Sequence, residues 1–462
     1  MSQSHRCPDC PQPARRRMPA AEVRIVHPHA AGIDLGSQHH YVAVPADRDA
    51  EPVRRFGCLT PDLREMARWL KACGIETVAM EATGVYWIPV MQVLEEAGLE
   101  VFLVDARQAK NVPGRKTDVK DCQWLQQLHS LGLLTPAFRP ADAVCVLRSY
   151  WRHRKSLVEL VSMQIQWMHK SLEQMNVQLH KVLSDVTGVT GMKILRAIVR
   201  GERDPVVLAR MRHPLVHSSE ETIVQALTGD WRAEHLFTLG QALELYDVYQ
   251  QKIQACDQQI EAYMKTLEGR VEAKDLPKSP AGARRKNQAH FDLRAQLHRW
   301  SGVDLTRIDA IDAMTAQTVL SECGIDMSRF ATEKHYSSWL GLCPNHEITG
   351  GKVRRRRTRK VRNRAAQALR LAAQSLHHSQ TALGAYYRRM RGRLGPAKAI
   401  TATAHKLAIL VYRMLKYGME YVDQGQQAYE RRYQQQSLKS LAKRARQMGY
   451  AMVNIDSGEL VS

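Results

Sequence analysis

Apolar positions fall along this chain in two regimes, short runs up to about residue 140 and long spaced series beyond it. Residues 23–44, VRIVHPHAAGIDLGSQHHYVAV, give two short apolar runs around Gly36 and Ser37, which predicts a hairpin with Asp34 on its first strand. A third run, VRRFGCL, follows. TPDLREMARWLKACG reads as a helix with Thr60 as its cap, Pro61 in its first turn and Gly74 at its end. IETVAMEAT reads as a strand, GVYWIPVMQVLEEAG as a helix closed by Gly98, and LEVFLVDA as another strand. That alternation predicts an α/β layer, a central sheet covered by helices.

Beyond Pro140 the period changes. Val158, Val161, Ile165, Met168, Leu172, Met175, Leu179 and Val182 recur at spacings of three and four, the seam of a coiled coil. The pattern returns at Leu239, Ala242, Tyr246, Tyr249, Ile253, Cys256, Ile260, Tyr263 and Leu267. Two such helices pack antiparallel within one chain or pair between chains; the second is the arrangement expected here, a homo-oligomer, dimer or tetramer. Between them, 187–234 reads as a mostly helical insertion with no assigned task. Residues 273–288, rich in lysine, arginine, proline and alanine, read as an exposed linker.

The last third is mainly helical apart from 341–361. Within it LTRIDAIDAMTAQTVLSEC, 305–323, places a short turn between helical segments, in the manner of a helix-hairpin-helix that offers backbone amides to DNA phosphates. The expected organisation is a flexible extension over 1–22, an α/β domain over 23–143 and a coiled-coil region over 144–300. A mainly helical domain over 301–425 and a helical basic tail over 426–462 follow.

Composition narrows the function classes. A hydrophobic share of 44% over 462 residues suits a globular protein, and no apolar stretch approaches the roughly 20 residues of a membrane span. The first residues carry arginines but no apolar core or cleavage site of a secretory signal, so the expected compartment is the cytoplasm, in association with the nucleoid. Nine cysteines are scattered without a disulfide framework, which suits reduced thiols. Only Cys7 and Cys10 form a C-x-x-C pair, and a zinc site there needs further ligands such as His5, His27 or His29.

The net charge of +21 changes the picture most, because a surplus of that size attracts polyanions and releases their counterions. It is concentrated in KVRRRRTRKVRNR, 352–364, with nine basic residues and no acidic one. Lys352, Arg354, Arg355, Arg356, Arg357, Arg359, Lys360 and Arg362 are the expected phosphate contacts, against the plainer reading of a solvated charged loop.

Against this basic background four acids stand out. Phosphodiester cleavage without a redox cofactor commonly uses divalent ions held by three or four carboxylates. Asp34 sits at mid-strand between Ile33 and Leu35, where a charge is costly without compensation. Glu81 ends IETVAME. Asp118 and Asp121, in KTDVKDC, share one face if that segment is helical. Each has a bland alternative: a turn cap at Gly36 for Asp34, a helix-start carboxylate for Glu81, and pairing with Lys116 and Lys120 for the two aspartates. A strand-borne acid, a second acid from a later strand and a helical acid pair together resemble the ribonuclease-H-like nuclease plan.

GIDLGS, MEATGVYW and GRKTDVKDC, in this order and spacing, resemble the DEDD transposases of the IS110/IS1111 family of insertion sequences. FATEKHYSSWLGLCPNHEITGGKVRRRRTRKVRNRAAQALR is similar to that family's C-terminal transposase domain. The resemblance implies a RuvC-like N-terminal domain in which Asp34, Glu81, Asp118 and Asp121 hold magnesium, and a coiled coil that assembles the oligomer. It also implies a hydroxyl nucleophile after the G-L-x-P motif that joins transiently to DNA in a composite site. A structured guide (bridge) RNA that pairs with donor and target DNA belongs to the same pattern. Here Gly341-Leu342-Cys343-Pro344 matches the landmark, but Thr349-Gly350 stands where the family has Ser-Gly. Thr349 is therefore the expected nucleophile, with Ser337, Ser338 or water as alternatives. Two rival functions remain open, a hydrolytic junction nuclease and a nucleic-acid-binding protein without catalysis.

Overall fold

The computed structural model describes residues 24–82, 84–105, 118–272, 286–359, 361–455, 458 and 460. The chain divides into two compact units, Met1–Arg139 and Pro140–Ser462.

The first unit is a five-stranded sheet in the order β3-β2-β1-β4-β5. Its strands are β1 (Ala30–Leu35), β2 (His39–Ala43), β3 (Val53–Gly57), β4 (Thr77–Glu81) and β5 (Glu100–Val104). β2 runs antiparallel to its neighbours β1 and β3, whereas β4 and β5 run parallel to β1. The parallel connections are supplied by helix α1 (Thr60–Ala72) and helix α2 (Trp87–Glu96). The expected cap of α1 moves by one residue: Leu59 is the boundary residue, and the Asp62 carboxylate accepts its amide at 3.2 Å.

Side chains alternate across the sheet, and the two faces have different partners. Ala31, Ile33 and Leu35 of β1, with Val78 and Met80 of β4, pack under Leu63, Met66, Leu70, Val90 and Leu94 of α1 and α2. On the other face Ala79 and Val104 meet Leu125 and Leu128 of helix α3 (Asp118–Ser130). Trp124 packs partly buried against that cluster and Trp87 against the first, so both belong to cores.

The second unit is mostly helical. Two long helices, α4 (Asp142–Gln174) and α9 (Ala233–Thr266), run antiparallel within the chain, as the bond from the Tyr263 hydroxyl to the Ala143 carbonyl at 2.9 Å requires. The two apolar series therefore face each other intramolecularly, the arrangement that was not favoured from spacing alone. Their interface carries one buried ion pair, Arg154 to Asp257, 2.5 Å apart with side chains 3% and 0% exposed. His290 bonds the same carboxylate at 2.6 Å, so the pair also holds the chain just after the linker. Between the long helices lie α5 (Leu179–Val182), α6 (Val189–Val199), α7 (Pro205–Ala209) and α8 (Glu220–Leu227), which make up most of the helical insertion.

The C-terminal part contains α10 (Leu293–Ser301), α11 (Ala313–Cys323), α12 (Glu333–Trp339), α13 (Arg364–Ser375), α14 (Ala382–Leu394), α15 (Pro396–Tyr417) and α16 (Gly425–Gln447). Trp151 and Arg152 of α4 bond Thr318 and Glu322 of α11, which ties this part to the long pair. The expected interruption of the helices is a β-hairpin, β6 (Pro344–Thr349) and β7 (Lys352–Thr358). No described helix is long and apolar enough to cross a membrane.

Candidate functional site

Parity along β1 places Ala30, Gly32 and Asp34 on the α3 face, opposite to Ile33. Likewise Thr77, Ala79 and Glu81 of β4 face α3: the Thr77 hydroxyl and His129 of α3 are bonded at 2.9 Å. The parallel register pairs Ile33 with Met80, so the next rung sets Asp34 beside Glu81 on neighbouring strands, about 4.8 Å apart along the ladder. Both acids are half-buried at the carboxyl end of the sheet. Asp105, one residue past β5 and missed from sequence, adds an exposed carboxylate at the same edge. The signal was available: LEVFLVDA ends its strand on an acid much as IETVAME does.

Helix α3 reaches this edge because β1 is small beneath it. A Cβ on Gly32 would lie 2.3 Å from the Gln126 amide nitrogen and 2.4 Å from the Cys122 carbonyl oxygen, so only glycine permits this approach. The first turn of α3 then brings half-buried Asp121 over the end of β1. Cys122 registers the result electrostatically. Burial pushes its thiol up to about 12, and the negative charges of Asp34 and Asp121 act in the same direction. At the far end of α3, burial drives the His129 imidazole down to about 4, with His27 stacked on it at 4.9 Å adding repulsion. A neutral His129 thus anchors α3 to β4.

Three of the four expected acids, Asp34, Glu81 and Asp121, are therefore on one face at one end of the sheet. Asp118 occupies the first position of α3, and its side chain lies outside the described residues, as do Cys7 and Cys10. Among the described residues no three His, Cys, Asp or Glu side chains are grouped closely enough to hold a metal ion by themselves. The donor chemistry is nonetheless that of a hard cation such as magnesium: carboxylate oxygens, with the only nearby thiol held protonated.

The second group of expected residues lies on the hairpin. Thr349 pairs with Lys352, and Gly350 and Gly351 between them have φ of +56° and +74°, the two-residue turn with both central residues left-handed. Thr349 is exposed at this tip. Ser337 is fully buried and donates to the Glu333 carbonyl, and Ser338 is half-buried on α12. Of the three hydroxyl-bearing residues considered from sequence, Thr349 is the most exposed. Trp339 is half-buried and packs against Phe330 and Tyr336.

Pairing along the hairpin skips Arg354: Ile348 faces Val353 and Glu347 faces Arg355. This bulge adds local twist to β7. Lys352, Arg354, Arg357, Arg359 and Arg362 are exposed, with Arg359 also bonding the Ser338 carbonyl. The side chains of Arg355 and Arg356, and Lys360 altogether, lie outside the described residues.

The helix-hairpin-helix expectation fares differently. A 3₁₀ turn over Leu305–Arg307 leads into α11, but Asp312 caps that helix by accepting the Thr315 amide at 2.8 Å. Asp309 in the same turn accepts from the hydroxyls of Ser379 and Thr381. The turn presents carboxylates where a phosphate would need free amides, so it is not a backbone-binding hairpin.

Two family models match this chain. One, described as a DEDD transposase of IS110 type, covers residues 31–177, and the other, described as transposase IS116/IS110/IS902 family, covers 289–388. A curated protein of Pseudomonas aeruginosa, named "Probable family 20 transposase", is 25% identical over 327 residues, 70% of this chain and 76% of the relative. The first match holds Asp34, Glu81, Asp118 and Asp121, and the second holds Thr349 and the basic run. Matched in order by both halves of one family's description, this chain belongs to the IS110-type transposases.

Proposed function

We propose that the protein is the recombinase of an insertion sequence, cutting DNA strands and rejoining them. The observation that carries this reading is the gathering of Asp34, Glu81 and Asp121 at one end of a mixed sheet whose 3-2-1-4-5 order suits a ribonuclease-H-like, RuvC-like nuclease. Asp118, three residues before Asp121 on α3, completes the set of acids. Magnesium bound by these oxygens would stabilise the negative charge that develops on the phosphate and on the leaving oxygen.

Thr349 supplies the nucleophile. Its Oγ1 attacks phosphorus, an Oγ1–P ester forms as the P–O bond to one strand breaks, and the hydroxyl proton ends on the departed strand's oxygen. Attack by a second strand's hydroxyl reverses the exchange and frees Thr349. Glycines at 350 and 351 leave open space around the tip, since a Cβ at either would meet nothing within 4 Å. The extra methyl of threonine restricts χ1 relative to serine but leaves the hydroxyl chemistry intact. The exposed cations of β7 hold the phosphate backbone next to this tip.

Donor and target DNA are selected by a structured noncoding guide RNA, and the working particle is a homo-oligomer, dimer or tetramer. Both statements rest on the family resemblance, and the +21 charge suits a protein that holds two nucleic acids. One observation favours a second reading. Thr349-Gly350-Gly351 is also a sufficient hairpin turn, so the threonine can be purely structural and water the attacking group, as in a junction nuclease.

The test is recombination between matched donor and target plasmids with magnesium and the flanking RNA, comparing wild type, Asp34→Asn and Thr349→Ala. Loss in both variants, with a denaturant-resistant protein–DNA adduct in wild type alone, supports the hydroxyl mechanism. Normal recombination by Thr349→Ala removes it in favour of water, and unchanged strand cleavage by Asp34→Asn removes the carboxylate site.

A further inference from the structure

The last three helices gather positive charge that the hairpin does not account for. Arg389 on α14 lies with its guanidinium carbon 3.9 Å from the ring centre of Tyr433, 5.1 Å from Tyr429 and 5.6 Å from Tyr386. Lys406 on α15 sits 4.7 Å over the other contact of that group, the Tyr386 ring. Arginines nearby are differently placed: Arg388 bonds Gln426, Arg413 pairs with Glu333, and Arg307 pairs with Glu420. Arg389 has no such carboxylate among the described residues; its Nε and the Tyr429 hydroxyl are buried without a hydrogen-bond partner.

The charges around Lys406 are all of one sign. Burial lowers its ammonium below the usual lysine range, and the positive charges of Arg389, Arg413 and Arg432 lower it further. Three aromatic faces orient Arg389 and soften its desolvation, but they do not neutralise it. Arg413 has Glu333 as its partner, but the like charges of Arg389, Lys406 and Arg432 repel one another, and the arrangement gains when an anion enters. Helix α16 extends the same character: across 425–447 it has Arg431, Arg432, Lys439, Lys443, Arg444 and Arg446 against the single carboxylate of Glu430. Its basic side chains remain exposed, with Ala442 its buried residue.

We propose that Arg389, Lys406 and Arg432 form a second binding site for the phosphodiester backbone of duplex DNA, contributed by α14, α15 and α16. The site lies outside both segments matched by the family, which end at residues 177 and 388. Duplex DNA is the occupant because cations fixed by stacked rings suit the sequence-independent charge of a backbone, and because the proposal rests on the reading of this protein as acting on DNA. Its role is to hold flanking DNA irrespective of sequence. Arg389 is kept as wild type in the test, since it organises the aromatic cluster.

The experiment measures affinity of the full chain for two duplexes of unrelated sequence across a salt series. K406Q/R432Q lowers affinity equally on both, with the slope of log K against log salt falling by about 2, about 1 per lost phosphate contact. K406R/R432K keeps the wild-type slope, and thermal unfolding is the same in all three proteins. A separate R354Q/R357Q variant lowers the slope independently, and the two losses add. If R354Q/R357Q weakens binding while K406Q/R432Q matches wild type, the second site is overturned and the DNA reading survives. Loss by K406Q/R432Q on structured RNA alone also overturns it. Failure of wild type to bind duplex DNA at all overturns both.

Discussion

Asp34 and Glu81 lie at the carboxyl ends of strands that are buried in a sheet, under a helix packed to backbone contact, whereas Thr349 ends a strand that stands exposed on a two-stranded hairpin. The acids owe their places to hydrophobic packing on both faces of five strands, and to Gly32, which lets α3 descend onto β1. Thr349 owes its place to two left-handed glycines and a bulge. A site for charged oxygens gains from a fixed, poorly solvated frame, because electrostatic stabilisation depends on groups that need not reorganise. A nucleophile that must reach a large polymer gains from projection and open space. Under the proposed mechanism, the chain would use a buried scaffold for one part of the chemistry and a bare turn for the other.

The largest test of that contrast acts on the acids directly. Asp34→Asn and Asp121→Asn should each lower strand cleavage by roughly 10²- to 10³-fold or more, with circular dichroism and melting unchanged, because charge is removed without volume. Equal loss of folding in these variants would turn the acids into structural residues. Next comes the frame. Gly32→Ala forces α3 off β1 and should cost about 1–3 kcal/mol of stability, measured by urea unfolding, together with activity. A fully stable, fully active Gly32→Ala would show that the close approach does not position Asp121.

The pH dependence of the frame is comparable in size. His129 is held neutral in the folded protein, down to about 4, but takes up a proton near 6.5 when unfolded. Protonation therefore favours the unfolded chain: stability is full above about 6.5 and falls as pH drops toward about 4, by about 3 kcal/mol at most. His129→Gln should flatten that slope in chemical denaturation between these limits. The smallest global effect belongs to the hairpin. Gly350→Ala and Gly351→Ala each cost about 1–2 kcal/mol of local conformational energy at positive φ. They should leave the melting of the rest of the protein in place while lowering recombination. A drop in global stability would mean that the hairpin is part of the core and would break the comparison.

Much of this was readable before any coordinates. A period of two around Asp34 and before Glu81 marks strands, because alternation follows directly from strand geometry. The apolar series over 158–182 and 239–267 marks long helices for the same reason, although the first helix ends at Gln174, short of Leu179 and Val182. The pairing of those helices was not readable: identical spacing serves an intrachain or an interchain partner, and here the buried Arg154–Asp257 bond within the chain accompanies the intrachain one. The helix-hairpin-helix likeness of 305–323 failed because spacing does not report that Asp312 caps its own helix or that Asp309 takes the hydroxyls of Ser379 and Thr381 from far along the chain.

Local sequence determined the elements, the acids' positions along them, the hairpin turn and the basic character, since each depends on neighbours within a few residues. Tertiary structure decided which acids share a face, why residue 32 must be glycine, that Ser337 is sealed while Thr349 is open, and that Arg389 and Lys406 meet among tyrosines of α14 and α16. Those facts depend on register and packing between residues far apart in the chain, and a one-dimensional pattern has no distance in it.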